Sequence, residues 1–193
     1  MPRNGLTTEK VVEASVALIE QRGVSGFSMR ALAETLNVRT ASLYNHVDSM
    51  ETLMAAVCAR ALQMQCQQEM AAIEAKTGTA AITALAHAYR QFAKEHRQLY
   101  RLIMSTAAVC GEQLREISDY MVVPFRSVLA NTVLDDDEKD HWQRVLRGIV
   151  HGFVSQEDAG FFSHLSASAD DSFQTAIGCY IDGLEQAEKR KQA

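Results

Sequence analysis

The sequence contains few of the residues that break a chain into irregular structure. Its 193 residues include only 2 prolines, 10 glycines and 1 tryptophan. So few helix-breaking residues argue against long disordered or low-complexity tracts. A chain of this length buries a sizeable core without covalent cross-links. We therefore expect one large domain, or a small domain joined to a larger one.

Long apolar runs are missing as well. No stretch approaches the roughly 20 apolar residues that a membrane-spanning helix requires. The first ten residues, MPRNGLTTEK, contain no apolar core of a signal peptide. These two observations predict a soluble cytoplasmic protein with no membrane partner.

Cysteines are few and are not arranged for metal binding. None of Cys58, Cys66, Cys110 and Cys179 forms a CxxC pair or lies at zinc spacing from a histidine. If Cys58 and Cys66 share a helix, they are about 12 Å apart along its axis, too far for a disulfide. The pattern favours free thiols in a reducing compartment over a redox sensor, and we expect no metal and no cofactor.

The net charge of −5 is unevenly distributed along the chain. Residues 1–47 contain five basic and four acidic side chains, whereas the remainder contains 14 basic and 20 acidic ones. No broad basic surface is available for non-specific nucleic-acid binding. A site-specific contact with DNA would therefore depend on local geometry and on a few side chains.

Apolar residues at helical spacing predict a first helix over residues 8–22, with Gly23 as its C-terminal stop. Ser28 is suited to cap a second short helix. Asn37 tolerates the left-handed conformation that ends such a helix. A third helix is then expected over Thr40–Val47, and a fourth from about Met50 to Ile73 after a capping box of Asp48 and Glu51.

Residues 28–47 have the layout of a helix-turn-helix, in which the second helix of the motif enters the major groove of DNA. Leu43 and Val47 are four residues apart and are expected to face inward. The polar residues between them would face outward and reach phosphates or base edges. Periodicity alone equally allows a generic three-helix hairpin whose exposed residues bind nothing.

Four segments in order carry a family resemblance. They are QRGVSGFSMRALA (21–33), LNV (36–38), LYNHV (43–47) and LMAAV (53–57). With this spacing, residues 8–60 resemble the DNA-binding domain of the tetracycline-repressor (TetR-type) family of transcription regulators. The resemblance implies an all-α fold, with a DNA-binding domain over residues 1–50 and a ligand-binding and dimerisation domain over residues 51–193.

The resemblance also implies roles for individual residues of the motif. Contacts with base edges would come from Arg30, Arg39, Thr40 and Ser42. Contacts with phosphates would come from Ser28, Tyr44 and His46, and Asn45 would contact either. The family usually has a phosphate-binding lysine where this sequence has Met50. That departure implies weaker non-specific affinity and a shallower salt dependence.

Helical periodicity continues through the C-terminal part of the chain. We expect a helix capped by Thr79, a short helix over 97–105, and a helix over 112–131 in which Pro124 causes a kink or exposes carbonyls. The acidic run at 135–138 is interpreted as a helix N-terminus, in preference to a metal site. A last helix is expected from about Asp171.

The last two predicted helices are apolar over more than one face. One face can serve the subunit's own core, and a second copy of the chain is the natural partner for the surplus. We therefore predict a four-helix homodimer interface from residues 139–157 and 172–187 of both subunits. It would include Trp142, Leu146, Ile149, Phe153, Phe173, Ile177, Tyr180 and Leu184. The alternative is a monomer whose core uses both faces.

Residues 147–162 resemble a C-terminal subtype of the same family, marked by an HGFVxxExAG-like stretch. The resemblance implies an unknown small-molecule effector that binds between the C-terminal helices and changes the spacing of the DNA-reading units. The candidate lining residues are Phe92, Tyr100, Met104, Met121, Phe125, His151 and Phe153. The competing interpretation for each of them is ordinary core packing.

These features favour a ligand-responsive transcription regulator, a repressor, that binds a palindromic double-stranded operator as a homodimer. Two alternatives remain at this point. One is an all-helical enzyme, although the sequence contains no GxSxG, HExxH or phosphate-binding glycine loop. The other is a helical protein-interaction module whose third helix binds protein.

Overall fold

The computed structural model describes residues 5–106, 113–164 and 166–192, with the backbone alone for residues 106 and 113–119. Throughout these ranges the regular structure is helical, and they contain no strand. The all-α prediction is therefore confirmed. Cys110 lies outside the described residues, and within the described part of the chain Cys58, Cys66 and Cys179 form no disulfide.

The chain forms two compact units. Unit 1 comprises Met1–Met64 and His96–Ser118, and unit 2 comprises Gln65–Glu95 and Asp119–Ala193. The described helices, in chain order, are α1 (Thr8–Arg22), α2 (Met29–Thr35), α3 (Thr40–Leu43), α4 (Met50–Ile73), α5 (Gly78–Glu95), α6 (Arg97–Thr106), α7 (Gln113–Val128), α8 (Asp136–Asp158) and α9 (Ala169–Gln192). None of these helices is long and apolar enough to cross a membrane.

Helix α1 has the bounds that its sequence predicts. The Thr7 side chain caps it by accepting a hydrogen bond from the Lys10 backbone N–H at 3.2 Å. Gly23 ends it at a φ of +71°, a conformation that favours glycine. The Gly23 N–H donates to the Ile19 carbonyl at 2.7 Å, which satisfies one of the last carbonyls of the helix.

Helix α2 also begins and ends as predicted. Ser28 Oγ accepts from the Ala31 N–H at 3.1 Å. Asn37 adopts the left-handed conformation with φ +52°. The Val38 N–H donates to the Ala33 carbonyl at 2.9 Å, and the Asn37 N–H donates to the Glu34 carbonyl at 3.1 Å. This is the Schellman pattern, and it fixes the turn before α3.

Helix α3 is shorter than predicted, because it ends at Leu43 and not at Val47. The His46 N–H donates to the Leu43 carbonyl at 2.9 Å, which tightens the chain into a turn after one helical turn. The His46 carbonyl, beyond the end of α3, accepts from Thr8 Oγ1 at 3.1 Å. Val47 is nevertheless buried, as predicted.

The cap of α4 was wrongly predicted, since Ser49 and Thr52 form it and not Asp48 and Glu51. Ser49 Oγ accepts from the Thr52 N–H at 3.1 Å, and Thr52 Oγ1 accepts from the Ser49 N–H at 3.0 Å. The two hydroxyls form the reciprocal pair of a capping box one residue later than predicted.

Other boundaries differ from the predictions by one to three residues. Helix α5 begins at Gly78, one residue before Thr79, and α7 ends at Val128 rather than at residue 131. Helix α9 begins two residues before Asp171, because Ser168 Oγ accepts from the Asp171 N–H at 3.3 Å. Pro124 lies inside α7, which continues through it.

The acidic run at 135–138 is the start of a helix, as predicted. Asp135 and Glu138 form a complete capping box at the N-terminus of α8. Lys191 donates to both carboxylates, and its hydrogen bond is the main reason that the pKa of Asp135 falls to about 2. Among the described residues, no group of three or more acidic, histidine or cysteine side chains could hold a metal ion.

Each unit has its own apolar core. In unit 1, fully buried side chains include Val11, Ile19, Leu32, Leu43 and Leu53. In unit 2 they include Phe92, Phe125, Leu146, Val150 and Phe173. Removal of this apolar surface from water is the main favourable contribution to folding.

Candidate functional site

The eight predicted DNA-contacting residues all lie in one segment of unit 1, on α2, α3 and the turns that flank them. We call this set the α2–α3 surface; it consists of Ser28, Arg30, Arg39, Thr40, Ser42, Tyr44, Asn45 and His46. Five of the side chains are exposed, and Thr40, Ser42 and His46 are half-buried. None is buried, so each remains available to a partner.

Buried residues of the same helices hold this surface in place. Leu32 of α2 and Leu43 of α3 are fully buried, and Val47 lies inward after the turn. Thr8, at the start of α1, donates to the His46 carbonyl and fixes the end of the motif. The polar residues between these anchors are thereby directed away from the core.

Arg30 and Tyr44 show how the surface is presented. Arg30 Nε donates to Glu34 Oε1 at 3.0 Å, but the two side chains are 86% and 64% exposed. Such an exposed pair contributes little stability, so the guanidinium can exchange it for a nucleic-acid acceptor. The Tyr44 side chain is 52% exposed at the C-cap of α3, an unusual degree of exposure for an aromatic residue.

Met50 is the first residue of α4 and is 37% exposed. Its side chain cannot pair with a phosphate. The cationic groups of the α2–α3 surface are Arg30 and Arg39, and both are exposed. Arg39 lies at the N-cap of α3, and its side chain makes no capping hydrogen bond there.

The predicted effector-pocket residues are divided between the two units. Tyr100 and Met104 belong to unit 1, and the other five belong to unit 2. Phe92, Tyr100 and Phe125 are buried, whereas the remaining members, Met104, Met121, His151 and Phe153, are half-buried. Within unit 2, the Phe125 ring packs edge-on against Tyr89 at 6.1 Å. Their role as ligand contacts stays a prediction.

His151 of α8 is half-buried, and its Nε2 lies 3.5 Å from Ser155 Oγ. Burial, and secondarily the positive charge of Arg147, hold the pKa of the imidazole below its usual range. The ring is therefore neutral at pH 7. A neutral imidazole can both donate and accept a hydrogen bond.

Phe153, predicted for both the pocket and the interface, packs inside unit 2. Its ring lies 4.8 Å from that of Phe162 and 5.0 Å from that of Phe173. The Arg90 guanidinium lies 5.3 Å from the same ring. These contacts make Phe153 a part of the packing between α5, α8 and α9.

A polar cavity of about 330 Å³ opens beside Arg90 in unit 2. Its lining residues are His87, Arg90, Gln91, Lys94, Asp170 and Gln174. None of the predicted effector-pocket residues is among them. Gln174 Nε2 lies 2.6 Å from His87 Nε2, so α5 and α9 are also joined at this cavity.

Sequence reasoning missed a buried polar pair on α4. Gln65 is 6% exposed and Glu69 is 1% exposed. Gln65 Nε2 donates to Glu69 Oε1 at 2.8 Å. The sequence did contain a signal. Gln65, Glu69 and the apolar Ile73 are spaced four residues apart, which places the two polar residues on the same side of the helix as a buried apolar one.

The predicted interface residues fall into two groups. Leu146, Phe173, Ile177, Tyr180 and Leu184 are buried within the chain's own unit 2, so they support α8 and α9 from the inside. Trp142, Ile149 and Phe153 are half-buried. Tyr180 donates through its hydroxyl to the Trp142 carbonyl at 3.1 Å, and the two rings meet edge-on at 5.4 Å.

The outward side of α8 carries small and apolar residues. Val145 is 48% exposed, Gly148 is exposed, and Ile149 and Gly152 are half-buried. These residues follow a three- and four-residue spacing and so share one face of the helix. A Cβ placed on Gly148 or Gly152 would meet no described atom within 4 Å.

Two family models match the chain. The model described as "Bacterial regulatory proteins, tetR family" matches residues 11–57. The model described as "Tetracyclin repressor-like, C-terminal domain" matches residues 82–180. The first match contains the whole α2–α3 surface, and the second contains most of unit 2.

The chain is also similar to a curated protein, the uncharacterized HTH-type transcriptional regulator YobS of Bacillus subtilis (strain 168). The two are 32% identical over 154 residues, which is 79% of this chain and 80% of the relative. The uncharacterized HTH-type transcriptional regulator Rv0681 of Mycobacterium tuberculosis is 26% identical over 174 residues, 85% of this chain and 76% of that relative.

Solved structures share the fold. The TetR family protein ActR of Streptomyces coelicolor, in complex with (S)-DNPA, has a TM-score of 0.67 and 18% identity. The match covers 95% of this chain and 99% of that one. At 18% identity, this similarity shows that the two proteins share a fold and shows nothing more.

Proposed function

Because the chain belongs to the TetR family of DNA-binding bacterial transcriptional regulators, we propose that it is a repressor that a small-molecule effector releases from its operator. The observation that carries the proposal is the α2–α3 surface, in which eight polar or aromatic side chains remain accessible above a buried Leu32 and Leu43. We place its action in the cytoplasm, where operator DNA lies. The family consists of regulators and not of enzymes.

In this proposal the α2–α3 surface enters the major groove. Arg30, Arg39, Thr40 and Ser42 contact base edges, and Ser28, Tyr44 and His46 contact phosphates, with Asn45 able to reach either. Base contacts supply specificity, whereas phosphate contacts supply register and affinity. Because both cationic side chains of the surface, Arg30 and Arg39, are assigned to base edges, few phosphates are neutralised per subunit.

We propose that the protein acts as a homodimer. Two recognition units about 34 Å apart would fit consecutive major grooves, and their two-fold symmetry calls for a palindromic operator. Support comes from the face of α8 that carries Val145, Gly148, Ile149 and Gly152, where glycines allow a second helix to approach closely. Sedimentation of a Gly148→Arg variant checks this, because a charged side chain there should give a folded monomer.

The proposed effector acts through coupling between two sites. If it favours a spacing that does not fit the operator, it lowers operator affinity by the factor with which DNA lowers effector affinity. ActR, which shares the fold, has been solved in complex with the small molecule (S)-DNPA. We propose that the half-buried Met121, His151 and Phe153 take part in binding the effector here.

A double variant tests the DNA-binding role. Operator DNA is first selected from genomic fragments with the unaltered protein. Replacement of Arg39 and Tyr44 by alanine should then abolish specific binding in fluorescence anisotropy, because a base-edge arginine alone is worth about 1–3 kcal/mol. The charge-matched control, Arg190→Ala in unit 2, removes one exposed arginine and should bind normally.

Two results would contradict the proposal. One is that no genomic fragment is enriched by the folded protein. The other is that the double variant binds the selected fragment as tightly as the unaltered protein does. The second result would instead favour a protein-binding role for the α2–α3 surface.

A further inference from the structure

The Gln65–Glu69 pair on α4 is an anomaly inside unit 2. A glutamate that is 1% exposed lies one helical turn from a glutamine that is 6% exposed. Charged side chains are almost never fully buried unless they are paired. Among the described residues, the carboxyl of Glu69 accepts one hydrogen bond, from Gln65 Nε2, and has no cationic partner.

The amide of Gln65 is also incompletely paired. Its Oε1 is buried and receives no hydrogen bond from the described residues. A buried acceptor without a donor costs the free energy of its lost hydration. The pair therefore has two needs side by side: a hydrogen-bond donor for Gln65 Oε1, and a positive charge to stabilise the ionised form of the Glu69 carboxyl, which is otherwise protonated at neutral pH.

The surroundings of the pair on α4 are apolar. Cys66 is 9% exposed and Ile73 is 7% exposed, so this face of the helix is directed into the interior. Burial raises the pKa of the Glu69 carboxyl to about 8, because little around it stabilises the ionised form. In such a low-dielectric setting a cation would interact with the carboxylate much more strongly than at the surface.

An amidinium, guanidinium or primary ammonium group meets both needs at once. Each carries a positive charge and at least two N–H donors. One N–H can reach Gln65 Oε1 while another pairs with the carboxylate of Glu69. Planar groups with parallel N–H bonds form the strongest pairs of this kind.

We infer that Gln65 and Glu69 form the polar recognition site for a small organic cation, an amidine, guanidine or amine on an apolar body. The inference rests on the proposed function and specifies the chemical class of its effector. Recognition selects against uncharged analogues, because only a cation stabilises the ionised Glu69 carboxylate, which releases its proton to water when the cation binds. It also selects against anions, because two oxygen acceptors face them.

The test uses p-aminobenzamidine as the probe, with fluorescence titration of the full-length protein in the absence of DNA. The unaltered protein should bind this cation at least tenfold more tightly than 4-aminobenzamide, its uncharged analogue of nearly equal shape. Glu69→Gln keeps the size of the side chain and should lose about tenfold or more in affinity for the cation. The matched control, Glu95→Gln, removes an exposed carboxylate of the same unit and should change nothing.

Three outcomes overturn the inference: no binding of p-aminobenzamidine, equal binding of the two probes, or an equal effect of Glu69→Gln and Glu95→Gln. The comparison of the two probes needs only the unaltered protein, so it tests the inference even if a variant does not fold. Since the titration contains no DNA, its failure leaves the selection of operator DNA as a separate test of the proposed function.

Discussion

Arg90 of α5 and Glu157 of α8 form a two-pronged ion pair, with Nε 2.8 Å from Oε2 and Nη2 2.6 Å from Oε1. The Arg90 side chain is only 7% exposed, and its guanidinium lies 4.7 Å from the centre of the Phe173 ring. Asp170, at the start of α9, is 2.8 Å from Nη2. One arginine thus joins three helices of unit 2.

We expect Glu157→Gln to destabilise the protein by about 2–3 kcal/mol, since it leaves a buried guanidinium without its main counter-charge. The control is Asp170→Asn, which removes a second carboxylate from the same arginine. Its side chain is 77% exposed, so the expected loss is at most about 1 kcal/mol. Urea unfolding of both variants measures the difference, and equal losses would mean that Glu157 is not the main counter-charge of Arg90.

The buried Glu69 predicts a stability that falls as pH rises. Its pKa in the folded protein is about 8, above the ordinary value of 4.5. Between these two pH values the unfolded chain is ionised and the folded chain is protonated, so the free energy of unfolding decreases with pH. At about 1.4 kcal/mol per pKa unit, the loss is about 5 kcal/mol as an upper limit.

Glu69→Gln should remove this dependence. We expect the variant and the unaltered protein to be similarly stable near pH 4.5, with the variant progressively the more stable of the two up to pH 8. Thermal unfolding across this pH range provides the measurement. A constant difference between the two proteins at all pH values would show that Glu69 does not titrate on unfolding.

The sequence predicts the helix-turn-helix well because its signals are local. Ser28 caps α2, Gly23 ends α1 and Asn37 takes a positive φ, and each of these preferences depends on a few neighbouring atoms. The length of α3 was not predictable in the same way. The turn that follows α3 includes a hydrogen bond from Thr8 to the His46 carbonyl, a contact between residues 38 positions apart that no local pattern reveals.

Asn37 allows a direct test of this local argument. Asn37→Ala should lower stability by about 1 kcal/mol, because a Cβ-bearing residue without a short polar group is strained at φ +52°. Asn37→Gly should be close to neutral, since glycine adopts this conformation freely. Calorimetry of the two variants checks the prediction, which fails if glycine is the more damaging replacement.

Met50 predicts the salt dependence of DNA binding. It is exposed at the start of α4, where a lysine would reach a phosphate in related regulators. Met50→Lys should tighten operator binding at low salt and steepen the slope of log K against log salt by about 1. Anisotropy titrations at several salt concentrations measure the slope. A Met50→Gln variant, polar but uncharged, should leave it unchanged.

Unit 2 contains features that could not be predicted from the sequence. The spacing of apolar residues indicates that α8 and α9 are apolar over more than one face. It does not indicate which of these faces packs into the subunit's own core. Leu146 and Ile177 prove to be interior, whereas Val145 is exposed. Likewise, no local pattern reveals that Arg90 pairs with Glu157, because that contact joins residues 67 positions apart in the sequence.

Footprinting on the DNA upstream of the protein's own gene tests the central claim most directly. We predict two protected half-sites with inverted sequence, centred about one helical turn or a multiple of it apart. The protection should disappear when Arg39 and Tyr44 are both alanine. Uniform, sequence-independent protection by the folded protein, or protection that persists in the double variant, would contradict the claim that the α2–α3 surface reads an operator.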